Sequence, residues 1–119
     1  MSSNDEYFGR MNDPSAFSFL KGPCGDEMEF YLVIDDNKIS DIKYYTEGCG
    51  YTKLCGAETA RLVKGKSIGE VLSISAGEIM KNIPDLPADH IHCSILAVSA
   101  FYKAVADYLL KTETTAICR

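Results

Sequence analysis

Three short cysteine motifs lie far apart in the chain, and each places a thiol in a predicted loop or at the end of a predicted element. They are Cys24-Gly25-Asp26, Gly48-Cys49-Gly50 and His92-Cys93. Asp26 and His92 put a second possible ligand beside two of the thiols. Three thiolates with one carboxylate or imidazole form a ligand set suited to zinc or to an iron–sulfur cluster. None of the motifs is a CxxC knuckle, so the fold must gather the ligands.

Each of the first two motifs also has a purely structural interpretation. Cys24 and Asp26 would lie on the same side of an extended segment, about 7 Å apart, but a buried cysteine beside a turn aspartate fits the same residues. Cys49 precedes a predicted helix, whose dipole favours a thiolate, and its flanking glycines allow the backbone to approach a bound group closely. A plain strand-to-helix turn is the alternative.

The other cysteines and histidines carry weaker signals. His92 and Cys93 start the last predicted helix, where the dipole again favours the thiolate of Cys93. His92 is either a ligand or a partly buried, hydrogen-bonded histidine, and His90 has only its proximity in its favour. Cys55 is better explained as a small core residue than as a ligand or auxiliary thiol, and Cys118 receives no role.

The composition is typical of one soluble globular domain. The chain has 119 residues, of which 46% are hydrophobic and 24% charged, enough for a single core without disulfides. A formal net charge of −5 and a pI of about 4.9 argue against nucleic-acid binding. No segment has the pattern of a signal peptide or a membrane span, so we expect a cytoplasmic protein. An odd count of five cysteines there favours metal binding or thiol chemistry.

The order of elements predicts an α+β fold, with helices packed on one face of a small antiparallel sheet. Residues 26–46 alternate with period two around a cluster of turn residues, which predicts a hairpin. A third strand is expected to complete the sheet. Phe17, Phe19 and Leu20 are expected to pack into the body of the domain.

The middle of the chain has helical periodicity. A helix capped by Thr52 is predicted to run to Lys64 and to end at Gly65. Two capping-box sequences, at residues 67–70 and 75–78, predict two further short helices. Small residues on one side of the first helix suit close packing on the sheet, and they are Gly56, Ala60 and Val63.

The predicted last helix is long and amphipathic. It runs from His90 to Lys111, capped by Asp89, and leaves a frayed tail over residues 112–119. With a weakly ordered segment over 1–22, the whole chain, 1–119, is expected to form a single domain. The expected buried stripe of the helix is Ile91, Ile95, Val98, Tyr102, Val105 and Leu109, widened by Phe101 and Tyr108.

In their order and spacing, the motifs resemble those of one known family. Gly22-Pro23-Cys24-Gly25-Asp26, Gly48-Cys49-Gly50 and His92-Cys93-Ser94-Ile95-Leu96-Ala97 are similar to the U-type iron–sulfur cluster assembly scaffolds, which comprise the IscU proteins and the N-terminal domain of NifU. The resemblance covers roughly residues 7–110. It implies a scaffold or carrier and not an enzyme. Such a protein accepts sulfur from a cysteine desulfurase, combines it with iron into a [2Fe–2S] cluster and hands the cluster to apo-proteins.

The resemblance also implies roles for individual residues. The cluster ligands would be Cys24, Cys49 and Cys93, with Asp26 or His92 as the fourth. Cys93 matches the family cysteine that takes persulfide from the desulfurase. Zinc commonly occupies the same ligands in purified members. His92 favours the IscU and NifU branch over the SufU branch, which lacks a histidine at this position.

The chain departs from the family pattern in three places. The family's dedicated Hsp70-type chaperone recognises a Leu-Pro-Pro-Val-Lys motif, and this chain has Leu86-Pro87-Ala88-Asp89-His90 in its place. The resemblance therefore does not extend to chaperone binding. Val98 stands where the family often has glutamate, and Cys55 stands where many members have serine.

Two other functions would use some of the same residues. A zinc-binding regulator that docks on a cysteine desulfurase needs the same ligands and differs only in the resident metal. A thiol hydrolase based on Cys49 and a histidine leaves the other cysteine motifs unexplained and lacks an evident carboxylate-oriented histidine.

Overall fold

Alternating apolar and polar residues produce a three-stranded antiparallel sheet. The structure is a computed structural model that describes residues 6–22 and 25–117. Strands β1 (Ala16–Lys21), β2 (Glu27–Asp35) and β3 (Lys38–Tyr45) pair in the order β1-β2-β3. All pairs are antiparallel, and the helices cover one face, so the predicted α+β fold is confirmed.

The predicted hairpin is formed by β2 and β3. Met28, Phe30 and Leu32 are fully buried, as the period-two pattern requires. The turn is made by Asp36 and Asn37, which have φ values of 55° and 63°. Two consecutive residues with positive φ are typical of the type I′ turn that closes two-residue hairpins.

Strand β1 is the additional strand that was expected to complete the sheet. The direction of its side chains contradicts one prediction for the N-terminal segment. Phe17 and Phe19, which were expected in the core, are 42% and 41% exposed. The register explains this, because Ala16 lies opposite Leu32 and Ser18 lies opposite Phe30. Directly opposed residues share a face of the sheet, so the even-numbered residues of β1 face the core and the phenylalanines face outward. Part of the segment expected to be weakly ordered is thus a paired edge strand.

Three helices follow the sheet, and their ends obey local sequence signals. They are α1 (Gly50–Val63), α2 (Ile68–Val71) and α3 (Ala76–Asn82). Gly65 adopts a φ of +86° just after α1, as a helix-terminating glycine does. Both predicted capping boxes form, since the Ser67 and Ser75 hydroxyls accept the expected backbone N–H groups.

Two predicted caps are wrong. The N-cap of α1 is Cys49, and Thr52 lies inside the helix with its side chain fully buried. The helix starts earlier because Gly50 and Tyr51 already belong to its first turn. Asp89 does not cap the last helix either, since it lies within a 3-10 turn, Ala88–His90, that follows Pro87.

The last helix, α4 (Ile91–Ile117), packs on the sheet through small residues. Its fully buried positions include Ala97, Ala100 and Ala104, and the Ser18 hydroxyl of β1 donates to the Ala100 carbonyl at 2.7 Å. Small side chains allow the helix to approach the strands closely. The predicted stripe is therefore only partly correct, because Val98, Phe101 and Val105 are buried whereas Ile91, Ile95 and Leu109 are 38%, 52% and 40% exposed.

Helix α4 also continues beyond its predicted end at Lys111. The backbone is helical to Ile117, where a frayed tail was expected, because no glycine or proline interrupts the segment. Over Ala88–Lys111 the chain is long and apolar enough to span a membrane, with a mean hydropathy of 1.4. Half of that apolar window is buried within the protein, as is typical of a core helix.

Helix α1 is seated on β3 through a contact that only glycine permits. A Cβ on Gly56 would lie 2.6 Å from Cδ2 of Tyr44. The Tyr44 ring is 1% exposed and is held edge-on by Phe8, with ring centroids 5.4 Å apart. The ring has no free space into which it could move, so the expected small-residue packing is confirmed at Gly56.

We expect Gly56→Ala to destabilise the protein by about 1–3 kcal/mol, the usual range for overpacking a core. The measurement is the free energy of unfolding in urea. Gly69→Ala is the matched control, because Gly69 is also helical but nothing lies within 4 Å of its added Cβ. That variant should be neutral or gain up to about 1 kcal/mol from helix propensity. Equal effects of the two substitutions would contradict the packing argument.

Candidate metal centre

The three cysteine motifs were expected to meet, and the described parts of all three lie at one end of the sheet. There β1 ends, β2 begins and β3 ends, and the first turns of α1 and α4 point to the same place. Cys24 lies outside the described residues. Asp26, two residues later, is tied into its loop by the Gly22 N–H, which donates to the Asp26 carbonyl at 2.7 Å.

Cys49 is positioned by the loop between β3 and α1. The Thr46 hydroxyl donates to the Glu27 carbonyl at 2.5 Å and accepts from the Gly48 N–H at 3.0 Å. A Cβ on Gly48 would lie 2.9 Å from Cγ of Asp26. The first glycine of the Gly-Cys-Gly motif thus makes room for the carboxylate. Gly50 has open space around it, so the motif needs glycine on one side only.

Thr52 joins the predicted ligands to one another. Its hydroxyl donates to Oδ2 of Asp26 at 2.7 Å and lies 3.5 Å from Sγ of Cys49 and 3.4 Å from Sγ of Cys93. A hydroxyl has one proton and two lone pairs. With both thiols protonated, it can donate to the carboxylate and accept from both sulfurs, so its hydrogen-bonding capacity is filled.

His90 completes the cluster. Its Nδ1 lies 3.8 Å from Sγ of Cys49 and 3.8 Å from Sγ of Cys93. Within the part of the chain that the structure describes, these three residues are the group whose ligand atoms all lie within 4.8 Å of one another. His92 is outside that group, and its ring is stacked on the His90 ring with centroids 6.0 Å apart.

The sequence analysis missed two residues of the site, Thr52 and His90. Each of them is three residues from a cysteine, which is a helical spacing. Thr52 lies three residues after Cys49, and His90 lies three residues before Cys93. Residues at i and i+3 share one side of a helical turn. The cysteine motifs consist of residues that are adjacent or nearly adjacent in sequence. Adjacent residues of a helix point about 100° apart, so the residues that share a side with each cysteine lie outside the motifs.

The remaining cysteines are not brought into the cluster by the described structure. Cys55 is fully buried in the core, where desolvation, reinforced by the nearby sulfurs of Cys93 and Cys49, raises its pKa to about 12. A neutral thiol in the core fits the structural interpretation favoured for this residue. Cys118 lies outside the described residues.

The two thiols of the cluster differ in acidity. Desolvation raises the pKa of Cys49, but the hydroxyl of Thr52 and the backbone N–H groups of Thr52 and Tyr51 outweigh it, and the net pKa lies below the ordinary value. Desolvation dominates at Cys93 and raises its pKa, and Thr52 offsets this only in part. Cys49 is exposed and Cys93 is buried. The expectation that the helix dipole makes both thiols acidic therefore agrees with the structure at Cys49 alone.

Together, the fold and the site define a small α+β protein that gathers thiol and imidazole groups at the end of its sheet. Sulfur and imidazole nitrogen are the ligands that zinc and iron–sulfur chemistry prefer. The Thr52 hydroxyl lies between the carboxylate of Asp26 and the sulfur of Cys49 and contacts both. The chemistry of these donors is therefore that of a metal or cluster site.

Known proteins have a similar sequence and a similar fold. The family model for the NifU-like N-terminal domain matches residues 6–115, and the chain belongs to this family. The iron–sulfur cluster assembly scaffold protein IscU 1 of Archaeoglobus fulgidus is 34% identical over 109 residues, which cover 91% of this chain and 71% of the relative. The scaffold protein IscU of Haemophilus influenzae is 40% identical over 89 residues, which cover 74% and 70%.

A solved structure agrees on the fold. The N-terminal part of a nitrogen-fixing NifU-like protein from Brucella abortus has a TM-score of 0.70, covering 89% of this chain and 87% of that one at 15% identity. The family model and the curated relatives confirm the resemblance to the U-type scaffolds that the motifs indicated.

We expect Thr52→Val to slow alkylation of Cys49 about three- to tenfold at pH 7.5. When Cys49 ionises, the hydroxyl can turn from Asp26 and donate to the thiolate, so its loss raises the pKa of the thiol and lowers the thiolate fraction. Rates would be followed by iodoacetamide labelling of the metal-free protein and peptide mass spectrometry. Thr59→Val is the control, since the Thr59 hydroxyl is equally buried but donates to the Cys55 carbonyl at 2.8 Å. Cys55 should label slowest in every variant. A Cys49 rate that responds alike to both substitutions would refute the role of Thr52.

Proposed function

We propose that this protein is a scaffold on which iron and desulfurase-derived sulfur are assembled into a [2Fe–2S] cluster, which is then transferred to acceptor apo-proteins. The observation that carries the proposal is the meeting of Cys49, His90 and Cys93, with Asp26 joined to both sulfurs through one hydroxyl. The names of the relatives support an assembly role. The cluster is cargo in this proposal and leaves the protein at the end of each cycle.

The proposed ligands are Cys24, Cys49 and Cys93, with Asp26 or His92 as the fourth. Cys24 is assigned from the sequence, where it stands two residues before Asp26. The donor set fits such a cargo, because thiolates bind cluster iron strongly. A carboxylate is a harder ligand that binds it less tightly, and one weak ligand suits a protein that must release what it binds.

Sulfur is proposed to enter at Cys93. The Cys93 thiolate would attack the outer sulfur of the desulfurase persulfide, a new S–S bond would form, and the desulfurase cysteine would leave as a thiolate. Cys93 is fully buried, and its pKa is raised. The transfer therefore requires the first turn of α4 and the 3-10 turn before it to move when the desulfurase docks.

A regulator that holds zinc and docks on a cysteine desulfurase is the alternative, because a tetrahedral set of sulfur and nitrogen ligands also suits zinc. The ligands of a scaffold would hold an iron–sulfur cluster during turnover, whereas those of the regulator would hold zinc. An experiment in which a cluster is assembled from desulfurase-derived sulfur distinguishes the two functions.

We expect the metal-free protein to develop visible charge-transfer bands when it is incubated anaerobically with cysteine and a cysteine desulfurase and then with ferrous iron and a thiol reductant, which supplies the electrons that convert persulfide sulfur to sulfide. Iron and acid-labile sulfide should be recovered in equal amounts, and peptide mass spectrometry before iron addition should find the persulfide on Cys93. Cys49→Ser should abolish the bands. Cys55→Ser is the matched control and should keep them, since Cys55 is fully buried with a pKa of about 12. A colourless protein that retains zinc under these conditions would favour the regulator.

We expect Asp26→Ala to assemble a cluster but to transfer it to an apo-ferredoxin about tenfold or more slowly, the scale seen when a group beside a metal ligand is lost. Asp26→Cys should give a longer-lived cluster with still slower transfer, because a thiolate replaces the harder ligand. Asp35→Ala, which alters an exposed carboxylate at the far end of β2, serves as the control. Unchanged transfer rates in both Asp26 variants would make Asp26 a turn residue only.

A further inference from the structure

We infer that the outer edge of β1 is a pairing surface for a second copy of this chain, and that Lys103 and Asp107 of α4 hold this edge closed. The inference goes beyond the proposed function and does not depend on it, since the edge involves none of the proposed ligands. Hydrogen bonds between two charged side chains and the backbone of β1 carry it.

The two outer edges of the sheet are closed in different ways. On the β3 side the closing contacts come from the backbone, because the Tyr44 N–H donates to the Tyr7 carbonyl and the Gly9 N–H donates to the Tyr44 carbonyl, both at 2.8 Å. Further along β3, the Ile39 N–H donates to the Lys66 carbonyl at 2.9 Å. Backbone that is already paired in this way offers no edge to another chain.

On the β1 side the closing contacts come from side chains of α4. The Phe17 N–H donates to Oδ2 of Asp107 at 3.3 Å, and Nζ of Lys103 donates to the Phe19 carbonyl at 2.8 Å. Residues 103 and 107 share one side of the helix, and on the next turn Nζ of Lys111 lies 3.3 Å from the same Oδ2 atom. Alternate residues of an antiparallel strand direct their N–H and C=O groups to the same edge, so Phe17 and Phe19 both present theirs to this row of charges.

The sequence of β1 is one that pairs readily when its edge is open. Residues 16–21 contain no proline or glycine, and their single charge is on Lys21, at the last position. Phe17 and Phe19 have high β-propensity and are 42% and 41% exposed on the open face of the sheet. Edges of this kind invite association with another chain, and charged side chains are a common protection. Here the protecting charges come from α4.

The edge of β1 is complementary to itself. Antiparallel pairing about a two-fold axis at Ser18 sets Phe17 of each copy opposite Phe19 of the other. Residues that form a hydrogen-bonded pair exchange both N–H···O=C bonds, so the Phe17 N–H and the Phe19 carbonyl that α4 now occupies would bond to each other across the axis. The same axis would bring Asp107 of each copy beside Lys103 of the other, because these side chains lie at the two phenylalanines. Register and charge thus both favour a second copy as the partner.

The contacts within one chain favour the closed edge. A hydrogen bond from a charged side chain to a backbone group is stronger than an exposed ion pair between two chains, and closing the edge costs no translational freedom. Loss of both side chains removes this advantage and leaves the edges of two β1 strands free to pair. Because backbone closes the β3 side in the described part of the chain, the product is a closed dimer and not a filament.

The test is sedimentation equilibrium of the full chain under reducing conditions, over a range of protein concentrations. We expect Lys103→Ala combined with Asp107→Ala to tighten dimerisation about tenfold or more, because two charge-assisted hydrogen bonds no longer compete with pairing. Lys81→Ala combined with Asp85→Ala is the matched control, since it also removes one exposed charge of each sign four residues apart, and it should leave association unchanged. Each single substitution on α4 should tighten dimerisation by less, which keeps the inference testable if the double variant does not fold.

Phe19→Pro distinguishes pairing through β1 from other association. The Phe19 N–H points away from β2, so proline on this edge strand removes a donor that the sheet itself does not use. Added to the double variant, Phe19→Pro should return the protein to the monomer. In the double variant itself, the Phe19 amide should exchange more slowly with D₂O as the protein concentration rises, whereas the Tyr44 amide, which is already paired, should not change.

Three results would overturn the inference. They are a double variant that associates no more than the unsubstituted chain, assemblies larger than a dimer, and a dimer that survives Phe19→Pro with a Phe19 amide insensitive to concentration. None of these results bears on cluster assembly, so the scaffold proposal stands or falls separately.

Discussion

The site depends on one buried hydroxyl. The Thr52 hydroxyl contacts a member of each cysteine motif, namely Asp26, Cys49 and Cys93. Its hydrogen bonds hold a carboxylate and two sulfurs together. The placement of this hydroxyl depends on the seating of α1 on β3 at Gly56, since the rest of the helix determines where its first turn points. Packing in the core therefore determines the spacing of groups at the surface.

The two thiols that share this hydroxyl nevertheless differ in acidity. A buried sulfur and an exposed sulfur lie at similar distances from Thr52, yet the pKa of Cys93 is raised and that of Cys49 is lowered. Desolvation is the largest influence on both, and the backbone N–H groups at the start of α1 reverse its effect for Cys49 alone. At neutral pH, Cys49 therefore carries a larger thiolate fraction than Cys93.

The sequence predicts those parts of this structure that are decided by local interactions. The hairpin, the end of α1 at Gly65 and both capping boxes follow from patterns within a few residues, and the cysteine motifs indicate the family. Which face of β1 is buried depends on its register with β2, so Phe17 and Phe19 could not be assigned from their own segment. Thr52 and His90 enter the site because helix starts converge in three dimensions. The only trace of this convergence in the sequence is the three-residue spacing between each of these residues and a cysteine.

The site connects parts of the chain that are distant in sequence, so under the proposed function a bound cargo would also affect the stability of the fold. A metal or cluster held by Cys49 and Cys93 closes a loop of about 44 residues, and a permanent cross-link of that length would stabilise the fold by up to about 4 kcal/mol through chain entropy alone. Under the proposed function, the cargo would act as a removable cross-link between the start of α1 and the last helix. An acceptor that took the cluster would also remove this cross-link, so delivery of the cargo and loosening of its carrier would be one event.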